Sequence, residues 1–243
     1  MYKDRKIGVV VPAYNEEMLI ELVISNMPAY IDKIYVVDDA STDNTQQITS
    51  DLASQNGRVV LIRHRVNMGV GAAIASGYRR ALEDNIDISV VMAGDHQMDG
   101  EYLPNLLAPI IQGKADYAKG NRLSRLADRK GMSNWRFLGN WVLTVLTKIT
   151  SGYWKIRDPQ NGYAAITRQA LKKINLDRLH PQYGYCNDLL VKLSVAGCKV
   201  SDVPIPARYN NERSKIKYGV FITKVAPLLL RGFLWRVRMK YLR

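Results

Sequence analysis

Four short runs of β-branched residues, spaced so that one helix fits between each pair, constrain this chain more than any other feature. They are residues 6–11 (KIGVVV), 33–38 (KIYVVD), 58–63 (RVVLIR) and 87–92 (DISVVM). Runs that are apolar throughout, without polar alternation, suit strands covered on both faces, and such strands are parallel. Helical patterns occupy the gaps at about 15–28, 43–55 and 69–84, and the second opens with Ser41-Thr42-Asp43, good helix-capping chemistry. A βαβαβαβ order predicts an α/β fold built on a mostly parallel, doubly wound sheet, with ligands at the carboxyl ends of its strands.

The second half is less regular. Strands are predicted near 115–119, 161–166 and 199–205, and helices near 132–150, 167–174 and 185–196. With 243 residues, 47% of them apolar, the chain suffices for one domain with a large core and is too apolar for disorder. The expected partition is a domain over 1–215, in halves 1–120 and 121–215, followed by an appendage over 216–243. That last segment mixes Phe221, Leu228–Leu230, Phe233, Leu234 and Trp235 with a cation every few positions. It is too interrupted to span a bilayer and reads as a basic amphipathic helix, bent at Pro227, that lies in the membrane interface. The first residues carry charge and no signal-peptide core. Cys186 and Cys198 are too few for a disulfide scaffold, which points to a reducing, cytoplasmic side.

Charge divides the chain. Residues 1–120 hold 11 Lys/Arg against 16 Asp/Glu, 121–207 hold 14 against 5, and 208–243 hold 10 against 1. An acidic front suits a metal or nucleotide site, and a basic rear suits an anionic partner. Nucleic acid is a poor candidate, because the acidic half repels phosphate and no nucleic-acid motif is present. A dinucleotide dehydrogenase is excluded by Pro12-Ala13-Tyr14, which stands where a Gly-x-Gly-x-x-Gly turn would be needed.

Four motifs fall in loops leaving the carboxyl ends of the predicted strands: Val11-Pro12-Ala13-Tyr14-Asn15-Glu16-Glu17, Val37-Asp38-Asp39-Ala40-Ser41-Thr42-Asp43, Asn67-Met68-Gly69-Val70-Gly71-Ala72-Ala73 and Ala93-Gly94-Asp95-His96-Gln97-Met98-Asp99. Carboxylates at the first two can accept from a nucleoside. Glycines at the start of a helix permit close approach of an anion. The oxygens of the fourth suit a hard cation held against a diphosphate. Singly each motif could be a turn or a cap; together they mark one edge of one sheet.

In this order the motifs resemble glycosyltransferase family 2, and within it the dolichyl-phosphate mannose synthase-like branch of polyprenyl-phosphate sugar transferases. The resemblance covers nearly the whole chain. It implies a GT-A fold, inverting transfer, a nucleotide-sugar donor (GDP- or UDP-linked) and a divalent metal, Mg2+ or Mn2+. By that resemblance Pro12, Tyr14, Glu16, Asp39 and Gly69 line the nucleotide-sugar pocket, and Asp95 and Gln97 hold the metal and diphosphate. The family's Asp-x-Asp-x-Gln departs here, since Ala93 replaces its first carboxylate. Asp95 is left as the main protein ligand, with His96 as a possible substitute for the missing one. On the acceptor side Arg122, in Gly120-Asn121-Arg122, and the pair Arg136 and Asn140 match residues that meet a lipid phosphate. Asp158 matches a carboxylate beside the reaction centre. Arg213 and Lys215 match cations of a late loop over the diphosphate, and Asp188 is either a base or the anchor of a neighbouring Arg.

Asp95, Asp158, Arg122 and Arg213 are thus the expected catalytic set. A phosphate acceptor already carries an oxyanion at neutral pH, its second pKa being about 6, and needs positioning cations rather than a base. The expected activity is transfer of a monosaccharide to polyprenyl (dolichyl-type) phosphate by a peripheral enzyme at the cytoplasmic membrane face. The alternative is a family 2 transferase that extends a lipid-linked glycan or surface polysaccharide. There the acceptor is a hydroxyl and requires Asp158 or Asp188 as base.

Overall fold

A computed structural model describes residues 1–95, 98–122, 134–206 and 218–241, with only the backbone at 134–140 and 218–224. The four predicted strands form as β1 (Ile7–Ala13), β2 (Lys33–Asp38), β3 (Val59–Arg63) and β4 (Ile88–Val91). Between them lie α1 (Ile20–Ser25), α2 (Thr45–Gln55) and α3 (Val70–Glu83). Then follow α4 (Leu103–Ile111), β5 (Tyr117–Asn121), α5 (Asn134–Ser151), β6 (Ala164–Thr167), α6 (Arg168–Lys173), α7 (Tyr185–Val195), β7 (Val200–Pro204) and α8 (Tyr218–Tyr241).

The strands make one seven-stranded sheet in the order β3-β2-β1-β4-β6-β5-β7. Strands β1 to β4 pair in parallel, and so do β5 and β7. Strand β6 is antiparallel to both its neighbours, β4 and β5. Six strands therefore end on the same edge, and the segment leading into β6 begins there. The chain builds outward from β1 through β2 to β3 and then crosses to β4, so the switch point lies between β1 and β4.

Both faces of the sheet are covered, as continuous apolar strands require. On β1, Val9 and Val11 enter one core with α1 and α4, whereas Val10 enters the other with α3 and α7. The pleat alone sends these neighbours to opposite sides. Helix α8 lies against α5 and α7, where Val225 and Leu229 bury against Leu143. Arg236 of α8 donates to the Thr150 and Ile149 carbonyls at 2.7 and 3.0 Å, capping the end of α5.

Two elements differ from expectation. Helix α1 is six residues long rather than fourteen, because Asn15 takes a left-handed φ of 55° and residues 15–17 bond to the loop after β2 instead of continuing a helix. Helix α4 forms at LPNLLAPII, a stretch whose two prolines hide its pattern. Pro104 is harmless in the first turn, and Pro109 is tolerated while Leu103, Leu106, Leu107 and Ile110 bury one face.

Helix α3 approaches β1 so closely that a Cβ on Gly77 would stand 2.3 Å from Val10 Cγ1. Gly77→Ala should therefore destabilise the protein by about 1–3 kcal/mol through overpacking, against an intrinsic helical gain of about 1 kcal/mol. A lowered urea midpoint with an unchanged slope would show it.

Candidate active site

The carboxyl edge is assembled by polar ties between loops. After β1, Asn15 donates its N–H to Ser41 Oγ at 3.0 Å, and its side-chain oxygen accepts from the Thr42 N–H at 2.8 Å. The Glu16 N–H donates to Thr45 Oγ1, and the Glu17 carboxylate accepts from the Asn44 N–H and side-chain amide. Asn15 and Ala40, at φ 61°, are both left-handed, a strained backbone that these ties hold in place. The loop thus presents Tyr14, which is exposed, and Glu16 beside the switch point. Pro12, within β1, is half-buried.

Asp39, at the end of β2, is buried and has extensive internal duties. Its Oδ2 accepts from the Gly69 N–H at 2.7 Å, and its Oδ1 from the Met68 N–H at 2.9 Å and His64 Nδ1 at 2.6 Å. His64 Nε2 in turn meets Ser76 Oγ of α3 at 2.9 Å. Neither the role of His64 nor this anchoring was legible, since a histidine closing a strand carries no sequence signal of its partner.

The glycines of the third motif serve packing. The Pro181 carbonyl sits at the start of α3 and accepts from the N–H groups of Gly71 and Ala72 at 2.7 and 3.2 Å. A Cβ on Gly71 would lie 2.1 Å from the His180 oxygen. The helix terminus expected to face an anion is satisfied by protein, because the 180–184 segment folds over it.

Beyond β4, the Ala93 N–H points to Met98 Sδ at 3.2 Å. Gly94 lies against the Pro12 carbonyl and Glu16, and Asp95, which follows it, is half-buried. Met98 reaches Gly162 in the segment before β6. His96 and Gln97 lie outside the described residues, as do Arg213, Lys215 and the side chains of Arg136 and Asn140.

In the second half of the chain, Arg122 and Asp158 meet as a two-pronged pair. Arg122 Nε donates to Oδ2 at 2.8 Å and Nη2 to Oδ1 at 3.2 Å, and the Arg122 N–H adds a third bond at 3.2 Å. Asp158 is only 3% exposed. The reversal of β6 makes the pair possible, because it delivers Asp158 to the edge where β5 ends. Asp188 of α7 accepts from Lys192 Nζ at 2.6 Å and the His180 N–H at 2.8 Å, so its cationic partner is a lysine rather than the expected arginine.

A doubly wound sheet with acidic and amide-bearing loops at its switch point, and a cation–carboxylate pair on its far side, is the GT-A-like fold of sugar transferases. The chain belongs to the Glycosyl transferase family 2, whose profile matches residues 8–175, and it is a glycosyltransferase. It is 31% identical over 219 residues to the UDP-N-acetylglucosamine--dolichyl-phosphate N-acetylglucosaminyltransferase of Methanococcus voltae, covering 85% of this chain and 87% of that protein. It is also 31% identical to the polyprenol monophosphomannose synthase of Mycolicibacterium smegmatis, covering 95% and 89%. Both of these relatives are named as polyprenyl-phosphate sugar transferases, the branch to which the motifs point. The fold matches glucosyl-3-phosphoglycerate synthase from Mycobacterium tuberculosis, solved with Mn2+, UDP-glucose and phosphoglyceric acid, with a TM-score of 0.67 and 24% identity over 95% of this chain and 80% of that one.

Asp43 bridges the first two loops, accepting from the Thr45 N–H and Oγ1 at 3.0 and 2.6 Å and from the Glu17 N–H at 3.2 Å. Burial pushes its carboxyl up, but these donors outweigh it and hold the value below the ordinary 3.8. A lowered carboxyl stabilises the fold at pH values above the ordinary value, and the contribution is lost as pH falls through the folded one. Asp43→Ala should lower stability at neutral pH by about 1 kcal/mol through its lost hydrogen bonds, and the difference from wild type should shrink in acid unfolding titrations.

Proposed function

We propose that this glycosyltransferase moves a monosaccharide, with inversion at its anomeric carbon, from a GDP- or UDP-linked sugar to a polyprenyl (dolichyl-type) phosphate at a membrane surface. The observation that carries this reading is the engagement of both candidate bases. Asp158 is locked to Arg122 through both its oxygens, and Asp188 is occupied by Lys192 and a backbone N–H. A hydroxyl acceptor would need one of them to take a proton. A phosphate acceptor needs none, since it arrives ionised, and what it requires is a positioned cation. Arg122, held by Asp158 at the end of β5, is that cation.

On the donor side, Tyr14 and Glu16 would border the nucleotide, with Asp39 bracing the edge beneath it, and Asp95 would face the diphosphate. Among the described residues no group of three His, Cys, Asp or Glu side chains could hold a metal. A single loop carboxylate such as Asp95 fits a hard cation such as Mg2+ or Mn2+, because such ions are held by one or two carboxylates with substrate phosphates completing the shell. Asp95, with Gln97, would hold the ion, which supplies Lewis-acid neutralisation of the departing diphosphate. Arg213 and Lys215 would add positive charge to the same leaving group. Arg136 and Asn140 would join Arg122 at the acceptor phosphate.

Membrane association is supported by the surface of α5 and α8. Trp141, Leu230 and Leu234 are 56%, 61% and 58% exposed, beside the exposed cations Arg231, Arg238 and Lys240. Leu229, by contrast, packs inward, and Leu228 and Phe233 are half-buried, so the apolar residues of α8 divide between core and surface. No helix among the described residues is long and apolar enough to cross a membrane.

Nucleoside diphosphate release from a panel of GDP- and UDP-sugars, with Mn2+ or Mg2+ and a short polyprenyl phosphate, tests this reading. Release should depend on the lipid phosphate and fall by about 100-fold or more in Asp95→Ala. Asp158→Asn should raise the acceptor KM while leaving kcat within about tenfold, whereas a true base would lose about 10^2–10^4 in rate. Release only with a glycan acceptor would favour the extending transferase instead. Co-sedimentation with anionic vesicles should weaken in a Leu230→Glu, Leu234→Glu double variant while circular dichroism stays unchanged.

A further inference from the structure

Below the Arg122–Asp158 pair lies a second set of charges. Lys119, in the middle of β5, is fully buried, and its Nζ donates to the Asn161 carbonyl. Its register partner on β7 is Asp202. Asp202 Oδ2 accepts from Asn121 Nδ2 at 2.7 Å and from the Arg157 N–H at 3.3 Å. Its other oxygen, Oδ1, is buried with no hydrogen-bond partner among the described residues. Asp202 therefore ties together the residue before Arg122 and the residue before Asp158. It grips from below the same two segments that Arg122 and Asp158 join from above.

The arrangement is poor for stability alone. A half-buried carboxylate whose one enclosed oxygen is unpaired, close to the buried carboxylate of Asp158, costs the folded state. Burial pushes the Asp202 carboxyl up to about 6; the Arg157 N–H works against the shift, the charge of Asp158 adds to it, and Lys119 and Asn121 oppose it. Among the described residues, Lys119 of β5, Arg122 just after it, and Arg157 and Asp158 of the segment before β6 are the charged residues that surround it. Groups held at a cost to folding concentrate where geometry serves a reaction.

We propose that Asp202 is a positioning residue of the acceptor half, which clamps Asn121 and the 157–158 segment so that Arg122 and Asp158 meet in register, with Lys119 as its buried counter-charge. The inference rests on the reading that places Arg122 at the acceptor. A purely structural brace, once removed, would lose stability and activity together. A positioning carboxylate held at a cost should give opposite signs.

In the full-length protein, Asp202→Asn should raise the thermal midpoint at pH 8. A carboxyl raised by folding withdraws stability from wild type as pH climbs from the ordinary 3.8 to about 6. The variant's advantage should therefore be absent below that window, grow across it and level off above. At pH 8 the same variant should lose about tenfold or more in kcat/KM for the polyprenyl phosphate, with the donor KM unchanged. A variant less stable than wild type at pH 8, or one with full acceptor kcat/KM, overturns the proposal. Lys119→Met should destabilise, and adding Asp202→Asn should recover part of that loss; strictly additive effects would remove Lys119 from the clamp. Wild-type protein that transfers nothing to polyprenyl phosphate would sink the acceptor assignment instead, and the pH dependence of the two stabilities would still be read without it.

Discussion

The carboxylate of Asp39 holds the donor edge in shape. It stands at the end of a central strand and gathers the N–H groups of Met68 and Gly69 together with the ring of His64. Without it, three polar groups from the β3–α3 connection would face a buried carboxyl edge unpaired, each costing about 1–3 kcal/mol. The loops after β1 and β2 then lock to each other through Asn15, Glu17 and Asp43. The result is a rim of fixed acceptors at the point where the sheet's winding reverses. Preorganisation of this kind spares a transferase the reordering of its own dipoles as charge moves to the leaving group.

The acceptor side is joined to that rim by one topological event. Strand β6 runs against its neighbours, so the segment that precedes it arrives at the edge where the other strands finish. Asp158 thereby meets Arg122 although 36 residues separate them. Met98 spans the gap from the turn after β4 to Gly162. The loops at the switch point and the Arg122–Asp158 pair consequently share the short strands at the middle of the sheet, and neither belongs to an independent lobe.

The fold was largely readable because its strongest signal is local. Unbroken Val and Ile runs with helical gaps leave few alternatives to a doubly wound sheet, and the motif loops had to fall at its carboxyl edge. What escaped was set by contacts distant in sequence. Helix α1 shortened because Asn15 and Glu17 bond to residues 25 or more positions away. The glycines at Gly69 and Gly71 have the composition of an anion-binding turn, yet Pro181 fills that place from the other half of the chain. The direction of β6 and the pairing of Lys119 with Asp202 belong to sheet order, which no local pattern encodes. A lysine at an interior strand position was the one visible sign that charge lies beneath the acceptor side.

The seat of α8 carries a mechanical corollary. Leu228 packs against Gly184 so tightly that a Cβ there would come within 2.6 Å of it. Three residues earlier, the Pro181 carbonyl caps α3 beside Gly69, which Asp39 grips in turn. An unbroken train of close-packed atoms therefore runs from the helix bearing the exposed Leu230 and Leu234 to the floor of the donor edge. Interiors packed to this density are stiff and pass displacement along rather than absorb it. The outer face of α8 is thereby joined, contact by contact, to the carboxyl edge of the sheet.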